Sequence, residues 1–177
     1  MNKLKEIVIG GGCFWCVEAL LKELKGVEKL ESGYSGGTAP GIPTYREVCS
    51  GLTGHAEVVK VSYDETLLTL HDLLVVFMTS HDPTTLNRQG GDVGTQYRSV
   101  VFYKSEEEKQ TAKSAINELK SYYQDPIVTE VSPLINYFEA EDYHQNYYEL
   151  NKSQSYCAAV ITPKLTKLRK LYADKLK

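Results

Sequence analysis

The feature that most constrains this fold is an apolar strand that runs through three glycines directly into a helix. The strand pattern covers residues 5–9, and Gly10, Gly11 and Gly12 follow it. The residues beyond the glycines place apolar side chains at helical spacing, namely Phe14, Val17, Leu21 and Leu24. Because Gly26 supplies a stop signal, the segment predicts one strand, one tight turn and one helix.

The remaining periodicity predicts an α+β protein. Further strands are predicted over residues 27–34, 56–63, 98–103 and 127–131, and further helices over 66–80 and 106–123. The first six elements follow the order β-α-β-β-α-β of a ferredoxin-like core, which is a two-layer sandwich. Beyond Pro133 we expect an irregular C-terminal extension, with short helices near 139–150 and 163–175. No repeat or linker divides the chain, so residues 1–177 predict a single domain.

Composition narrows the function classes. The chain has 177 residues, a net charge of -3 and a pI near 5.8, which argues against nucleic acid as the principal partner. Its longest apolar run, 73–78, is far shorter than the roughly 20 residues of a membrane-spanning helix. The N-terminus lacks a signal-peptide cleavage pattern, so we expect a cytoplasmic protein with reduced cysteines. The lysine-rich end predicts a solvated terminal helix rather than a membrane-surface helix.

The four cysteines at positions 13, 16, 49 and 157 need a chemical explanation in such a compartment. A zinc site usually pairs a CxxC with a second close Cys or His pair, and Cys49 and Cys157 stand alone. We therefore expect no metal. The Gly-rich turn also lacks the Lys-Ser/Thr ending of a phosphate-binding loop.

Cys13 is the candidate nucleophile. It follows the glycines at the start of a predicted helix, where free backbone N–H groups and the helix dipole favour a thiolate. Cys13 and Cys16 also form a CxxC that opens a helix, which is typical of thioredoxin-like redox centres but also fits an inert buried pair. Trp15, the single tryptophan, fits either core packing or an apolar rim for a methyl-sized group.

Six sequence blocks make the interpretation specific, and together they resemble the A-type peptide-methionine (S)-S-oxide reductases. The blocks are GCFW at 12–15, GYSGG at 33–37, PTYREVC at 43–49, GHAEV at 54–58, GDVGTQYRS at 91–99 and AEDYHQ at 140–145. They stand in the order of that family, and the resemblance extends from about residue 7 to residue 164. One departure is the stretch 39–43, which replaces a more polar segment and so alters the predicted pocket rim.

The resemblance implies a single catalytic domain that reduces the S epimer of methionine sulfoxide, free or in proteins. Cys13 would attack the sulfoxide sulfur while Glu57 acts as general acid for the oxygen. The substrate-binding residues implied by the family are two oxygen-binding phenols, Tyr45 and Tyr97, the polar residue Asp92, and an apolar wall of Phe14 and Trp15. No metal or organic cofactor is implied, thioredoxin is the expected reductant, and we expect a monomer.

The family resolves the resulting sulfenic acid with a second thiol. Cys157 matches a C-terminal resolving position on a segment expected to be mobile, and we favour it. Cys16 is the alternative, because a CxxC disulfide is sterically possible although not ideally placed within one helical turn. Cys49 is expected to be buried and inert. Two rival functions remain: a thioredoxin-like oxidoreductase that needs Cys13 and Cys16 but not Glu57, and a non-catalytic thiol protein.

Overall fold

A computed structural model describes residues 3–177 and contains one six-stranded sheet, a two-stranded hairpin and six α-helices. The strands are β1 Lys5–Gly10, β2 Val27–Ser35, β3 Ala56–Tyr63, β4 Arg88–Gln89, β5 Asp92–Val93, β6 Val100–Tyr103, β7 Glu130–Pro133 and β8 Phe138–Glu139. The helices are α1 Phe14–Leu21, α2 Tyr45–Cys49, α3 Leu70–Ser80, α4 Glu106–Leu119, α5 Tyr147–Leu150 and α6 Thr162–Leu171. The predicted mixed α+β class is confirmed.

The large sheet has the order β7-β6-β1-β3-β2-β8, with β1 and β3 at its centre. β1 pairs antiparallel with both β3 and β6, β2 pairs antiparallel with β3 and β8, and β7 runs parallel to β6. Because side chains alternate along β1, Ile7 and Ile9 enter the main core with the helices, whereas Val8 enters a second cluster. β1 is therefore buried on both faces, and its C-terminal end is held firmly in place.

Two predicted helices are shorter than their apolar patterns. α3 begins at Leu70 rather than at residue 66, because Asp64 Oδ1 accepts the Thr66 N–H at 2.9 Å and holds a turn there. Thr69 then caps the helix by accepting the Asp72 N–H at 3.1 Å. α4 ends at Leu119 instead of residue 123.

The C-terminal extension closes both faces of the sheet. Leu134 and Tyr137 pack on the second cluster, and β8 adds a strand at the β2 edge. The predicted terminal helix is present as α6, and its narrow apolar side buries Leu165 and Leu168. No helix within residues 3–177 has the length and apolar character needed to span a membrane.

Candidate active site

The structure places Cys13 at the junction where β1 ends and α1 begins. Gly12 has a φ of +86°, and a Cβ at this position would lie 2.7 Å from Cγ of Gln89. A Cβ on Gly10 would lie 2.5 Å from the carbonyl oxygen of Glu57. Glycine is required at both positions because two other segments press against the turn. Cys13 follows with extended backbone as the N-cap of α1.

Burial controls the ionisation of Cys13, which is 7% exposed. Desolvation raises the pKa of this thiol well above its usual value, and Cys16 and the Glu57 carboxylate add to the rise. A hydrogen bond from the Trp15 N–H acts in the opposite direction, as expected at a helix N-terminus, but it is the smaller effect. Desolvation therefore opposes the thiolate that the helix N-terminus favours.

Glu57 lies on β3 and is 1% exposed. Its Oε1 accepts the N–H of Phe14, the residue after Cys13, at 3.1 Å. Its Oε2 has no hydrogen-bond partner within the described residues. Burial raises the pKa of this carboxyl to about 8, although the Phe14 N–H opposes the shift. The group is consequently largely protonated at neutral pH and holds its proton beside the helix that Cys13 caps.

Tyr45 and Tyr97 are held by two short helical turns. A capping box between Thr44 and Glu47 starts α2, so Tyr45 occupies its first position. Tyr97 ends a 3-10 turn, and its carbonyl accepts the N–H of Gly12 at 3.1 Å. Burial raises the pKa of both phenols, and the nearby carboxylate on β3 adds to the rise. Both hydroxyls therefore remain protonated and can donate a hydrogen bond.

Aromatic rings form a wall beside these polar groups. Phe14 is completely buried, and its ring centroid lies 5.0 Å from that of His144. Trp15 stacks on Tyr147 with centroids 3.8 Å apart and donates its indole N–H to His144 Nδ1 at 3.0 Å. Tyr45 lies 4.3 Å from the same histidine ring. The indole is thus fixed in orientation by one stacking contact and one hydrogen bond.

Asp92 is connected to Cys16 by the side chain of Tyr156. The Tyr156 hydroxyl donates to Asp92 Oδ2 at 2.8 Å and lies 3.7 Å from the sulfur of Cys16. The pKa of Cys16 is lowered to about 7, mainly by its hydrogen bond with the Cys13 thiol; burial opposes this, and the charge of Lys164 assists it. The two CxxC side chains are therefore hydrogen-bonded neighbours.

The other two cysteines lie in different environments. Cys157 is completely buried at the start of a π-helical turn, Cys157–Ile161. Its pKa is raised by burial and by the charge of Cys16. Cys49 is exposed, so the prediction of a buried Cys49 is wrong. Only the inner side of α2 packs on the core, where Val48 is completely buried, and the last residue of this short helix turns toward solvent.

The sequence matches the peptide methionine sulfoxide reductase family over residues 5–176. The chain belongs to this family. The peptide methionine sulfoxide reductase MsrA of Deinococcus radiodurans is 53% identical over 175 residues, covering 98% of this chain and 84% of that protein. Mxr1 of Saccharomyces cerevisiae in reduced form is 35% identical with a TM-score of 0.83, covering 88% of this chain and 90% of that one. A structure of Mxr1 in complex with Trx2 matches at 24% identity with a TM-score of 0.59, covering 82% and 85% of the two chains.

In this reductase the predicted site residues come from widely separated parts of the chain. Sequence reasoning assigned no role to four residues that hold them, namely Glu141, His144, Tyr147 and Tyr156. Glu141 accepts hydrogen bonds from the Tyr34 hydroxyl at 2.8 Å and the Tyr45 N–H at 3.0 Å, so it ties α2 to β2. Glu141 and His144 lie in a block that carried the family resemblance, and Tyr156 adjoins Cys157. These positions were the only sequence clue to the roles of the residues, and their contact partners are more than 60 residues away in sequence.

Proposed function

We propose that this reductase reduces the S epimer of methionine sulfoxide, free or in oxidised proteins, with Cys13 as nucleophile and Glu57 as general acid. The observation that carries the proposal is the buried Glu57 carboxyl, which has a raised pKa, one oxygen fixed by the Phe14 N–H and the other without a partner within residues 3–177. A protonated carboxyl held this way is suited to donate a proton to a developing oxyanion. Incubation with each sulfoxide epimer and dithiothreitol tests the proposal, and we expect methionine from the S epimer alone.

The chemistry assigned to the site transfers one oxygen. The Cys13 thiol loses its proton as its sulfur bonds to the sulfoxide sulfur, and the sulfoxide oxygen takes a proton from Glu57. The oxygen then forms a bond to the Cys13 sulfur, while its bond to the methionine sulfur and the new sulfur–sulfur bond both break. Methionine leaves, Cys13 retains the oxygen as a sulfenic acid, and the thiol proton restores Glu57. The Phe14 and Trp15 rings would receive the S-methyl group, because an apolar wall beside polar donors orients such a substrate.

Tyr45→Phe and Tyr97→Phe are each expected to lower kcat/KM about fivefold, because each removes one hydrogen bond worth roughly 1 kcal/mol to the sulfoxide oxygen. The measurement is methionine formation with dithiothreitol, and the double variant should lose more than either single one. Tyr143→Phe is the matched control, since Tyr143 is 59% exposed. Wild-type kinetics in the double variant would contradict the assignment of the phenols.

For the resolving step we propose that Cys16 and Cys157 act in sequence. The hydrogen bond between the Cys13 and Cys16 side chains favours Cys16 as the first thiol to condense with the sulfenic acid, releasing water. Cys157, which lies within electrostatic range of Cys16, would then attack Cys16 and pass the disulfide to thioredoxin. The complex of the yeast relative with Trx2 supports thioredoxin as the reductant.

Cys16→Ser and Cys157→Ser are expected to stop thioredoxin-coupled turnover at different stages, each after about one methionine per chain. Cys16→Ser should accumulate the Cys13 sulfenic acid, detected by dimedone labelling and mass spectrometry. Cys157→Ser should accumulate a Cys13–Cys16 disulfide. Continued turnover in Cys16→Ser would show that Cys157 reacts directly with Cys13, and continued turnover in Cys157→Ser would leave Cys16 as the sole resolving thiol.

We also propose that the whole chain, residues 1–177, acts as one monomeric catalytic domain in the cytoplasm, and that its core is a ferredoxin-like two-layer unit. The sheet order β6-β1-β3-β2, with antiparallel neighbours throughout, supports the fold proposal. The packing of α1 and α3 in one cluster on one face of these strands also supports it.

A further inference from the structure

Two adjoining cavities lie among α1, α3 and α6. The larger has a volume of about 270 Å³ and the smaller about 10 Å³. Ser80, His81 and Lys164 line both cavities. The smaller cavity also contacts Cys16. Because they share these three residues, the two cavities are neighbours, and the smaller one lies on the side of Cys16, which is 2% exposed.

These cavities are separate from the proposed sulfoxide site. Cys13, Glu57, Tyr45 and Tyr97 line neither cavity. A molecule bound in the larger cavity therefore lies beside the cavity that Cys16 lines and not among the sulfoxide-binding groups.

The larger cavity carries an unbalanced positive charge. Lys164 and Lys167 line it, and neither forms an ion pair or hydrogen bond within residues 3–177. Asp82 is the one acidic residue in the described lining. Its Oδ1 accepts the N–H of Thr84 at 2.9 Å, so this oxygen is already hydrogen-bonded within the local turn. Burial lowers the pKa of His81 to about 4, so His81 adds no charge at neutral pH.

The rest of the lining is largely apolar and aromatic. It includes Tyr122, Tyr123, Leu168, Leu171 and Tyr172. The Tyr123 hydroxyl is fixed because it donates to the Met78 carbonyl at 2.6 Å. The volume of about 270 Å³ is slightly below the range of roughly 300 to 1,000 Å³ that is usual for small-molecule sites. The cavity therefore fits a small anion that also carries an apolar portion.

We propose that the cavity between α3 and α6 binds a small anionic thiol, which reduces the Cys13–Cys16 disulfide by attacking Cys16. Lys164 and Lys167 would hold the carboxylate, and the smaller cavity, which Cys16 and Lys164 both line, would admit the thiol sulfur to Cys16. The proposal rests on the resolving order given under the proposed function, because it needs that disulfide as its target. It adds a second reductant to the site, distinct from a protein that must dock on the surface.

The exchange is balanced with two equivalents of thiol. The first thiolate forms a bond to the Cys16 sulfur, the Cys13–Cys16 bond breaks, and its electron pair leaves on Cys13, which then takes up a proton. A second thiolate attacks the outer sulfur of the mixed disulfide and releases Cys16. The cysteine pair is reduced, and two small thiols become one small disulfide.

The test uses the full chain with Cys157→Ser, in which the Cys13–Cys16 disulfide should accumulate. Mercaptoacetate, which is anionic, and 2-mercaptoethanol, which is neutral, are compared by second-order rate constants per concentration of thiolate, with recovery of free thiols as the readout. We expect mercaptoacetate to be favoured about fivefold, since one charge pair in water contributes on the order of 1 kcal/mol. This preference should shrink as salt is added.

Lys164→Gln and Lys167→Gln should each bring the ratio of the two rate constants toward one. Lys170→Gln is the matched control, because Lys170 is exposed on α6 and does not line the cavity, and it should keep the full preference. An unchanged ratio in both Lys164→Gln and Lys167→Gln would overturn the anionic-thiol site while leaving the resolving order intact. Absence of the Cys13–Cys16 disulfide by peptide mass analysis would instead overturn the resolving order and the thiol site with it.

Discussion

Replacement of Cys13 by serine is expected to lower the reduction of methionine S-sulfoxide by at least about 10⁴-fold, with dithiothreitol or thioredoxin as reductant. A serine hydroxyl is a far weaker nucleophile than a thiolate, and its oxygen cannot take up the sulfoxide oxygen as a sulfenic acid does. The substitution removes the reacting atom and leaves Glu57 in place, so the loss should appear in the chemical step.

The fold should survive this change, since serine is close to cysteine in shape and its hydroxyl can also accept the Trp15 N–H. Cys49→Ser is the matched control, because it makes the same chemical change at an exposed position of α2. Circular dichroism and thermal unfolding of both variants separate lost chemistry from lost structure. Sulfoxide reduction that persists in folded Cys13→Ser would refute the assignment of the nucleophile.

Glu57→Gln is expected to lower the rate of the first turnover by about 10² to 10⁴-fold, which is the range for loss of a general acid. The amide keeps the shape of the side chain and can still accept the Phe14 N–H, but it has no proton to give. Rapid-quench measurement of methionine in a single turnover isolates this step from disulfide reduction. A thioredoxin-like oxidoreductase would not need Glu57, so an unchanged rate would favour that rival function.

The same substitution is expected to change the pH dependence of stability. The pKa of Glu57 is raised from an ordinary value of 4.5 to about 8 in the folded protein, so the folded state holds a proton that the unfolded state loses. The stability contributed by this proton is complete below about pH 4.5 and falls as the pH rises toward 8. Between pH 5 and 8 the wild type should therefore lose on the order of 3 kcal/mol relative to Glu57→Gln.

Urea unfolding of both proteins across that pH range measures the difference, and other ionisable groups cancel in the comparison. A parallel pair of curves would mean that Glu57 is ionised in the folded protein and cannot serve as the acid. If Glu57→Gln loses activity but becomes more stable than the wild type as the pH rises, then Glu57 is buried for its chemistry and not for stability.

Local patterns identified the elements that position the nucleophile. The strand, the glycines and the start of α1 are specified by neighbouring residues, and β3 spans Ala56–Tyr63 as its alternation predicts. The hairpin of β4 and β5 was not predicted, because the segment reads only as a polar loop and its strands are two residues long. Its role depends on Asp92 meeting Tyr156, a contact that no local pattern encodes.

The ionisation and burial of the site cysteines were harder to predict than which residues form the site. The helix terminus beside Cys13 is visible in the sequence, but the depth of burial that raises the pKa of its thiol depends on the surrounding segments. The exposure of Cys49 and the full burial of Cys157 depend in the same way on which side of a short helical turn packs inward.

The amino-acid sequence by itself determined the position of Cys13 at a strand-to-helix junction and, through the ordered blocks, the family to which the chain belongs. Only the tertiary structure decided that Glu57 is desolvated against the Phe14 N–H, that the Cys13 and Cys16 side chains are hydrogen-bonded, and that a cavity with two lysines adjoins one that Cys16 lines. The reason is physical: backbone propensity and side-chain periodicity act over a few residues, whereas desolvation and charge depend on segments that meet only in the folded chain.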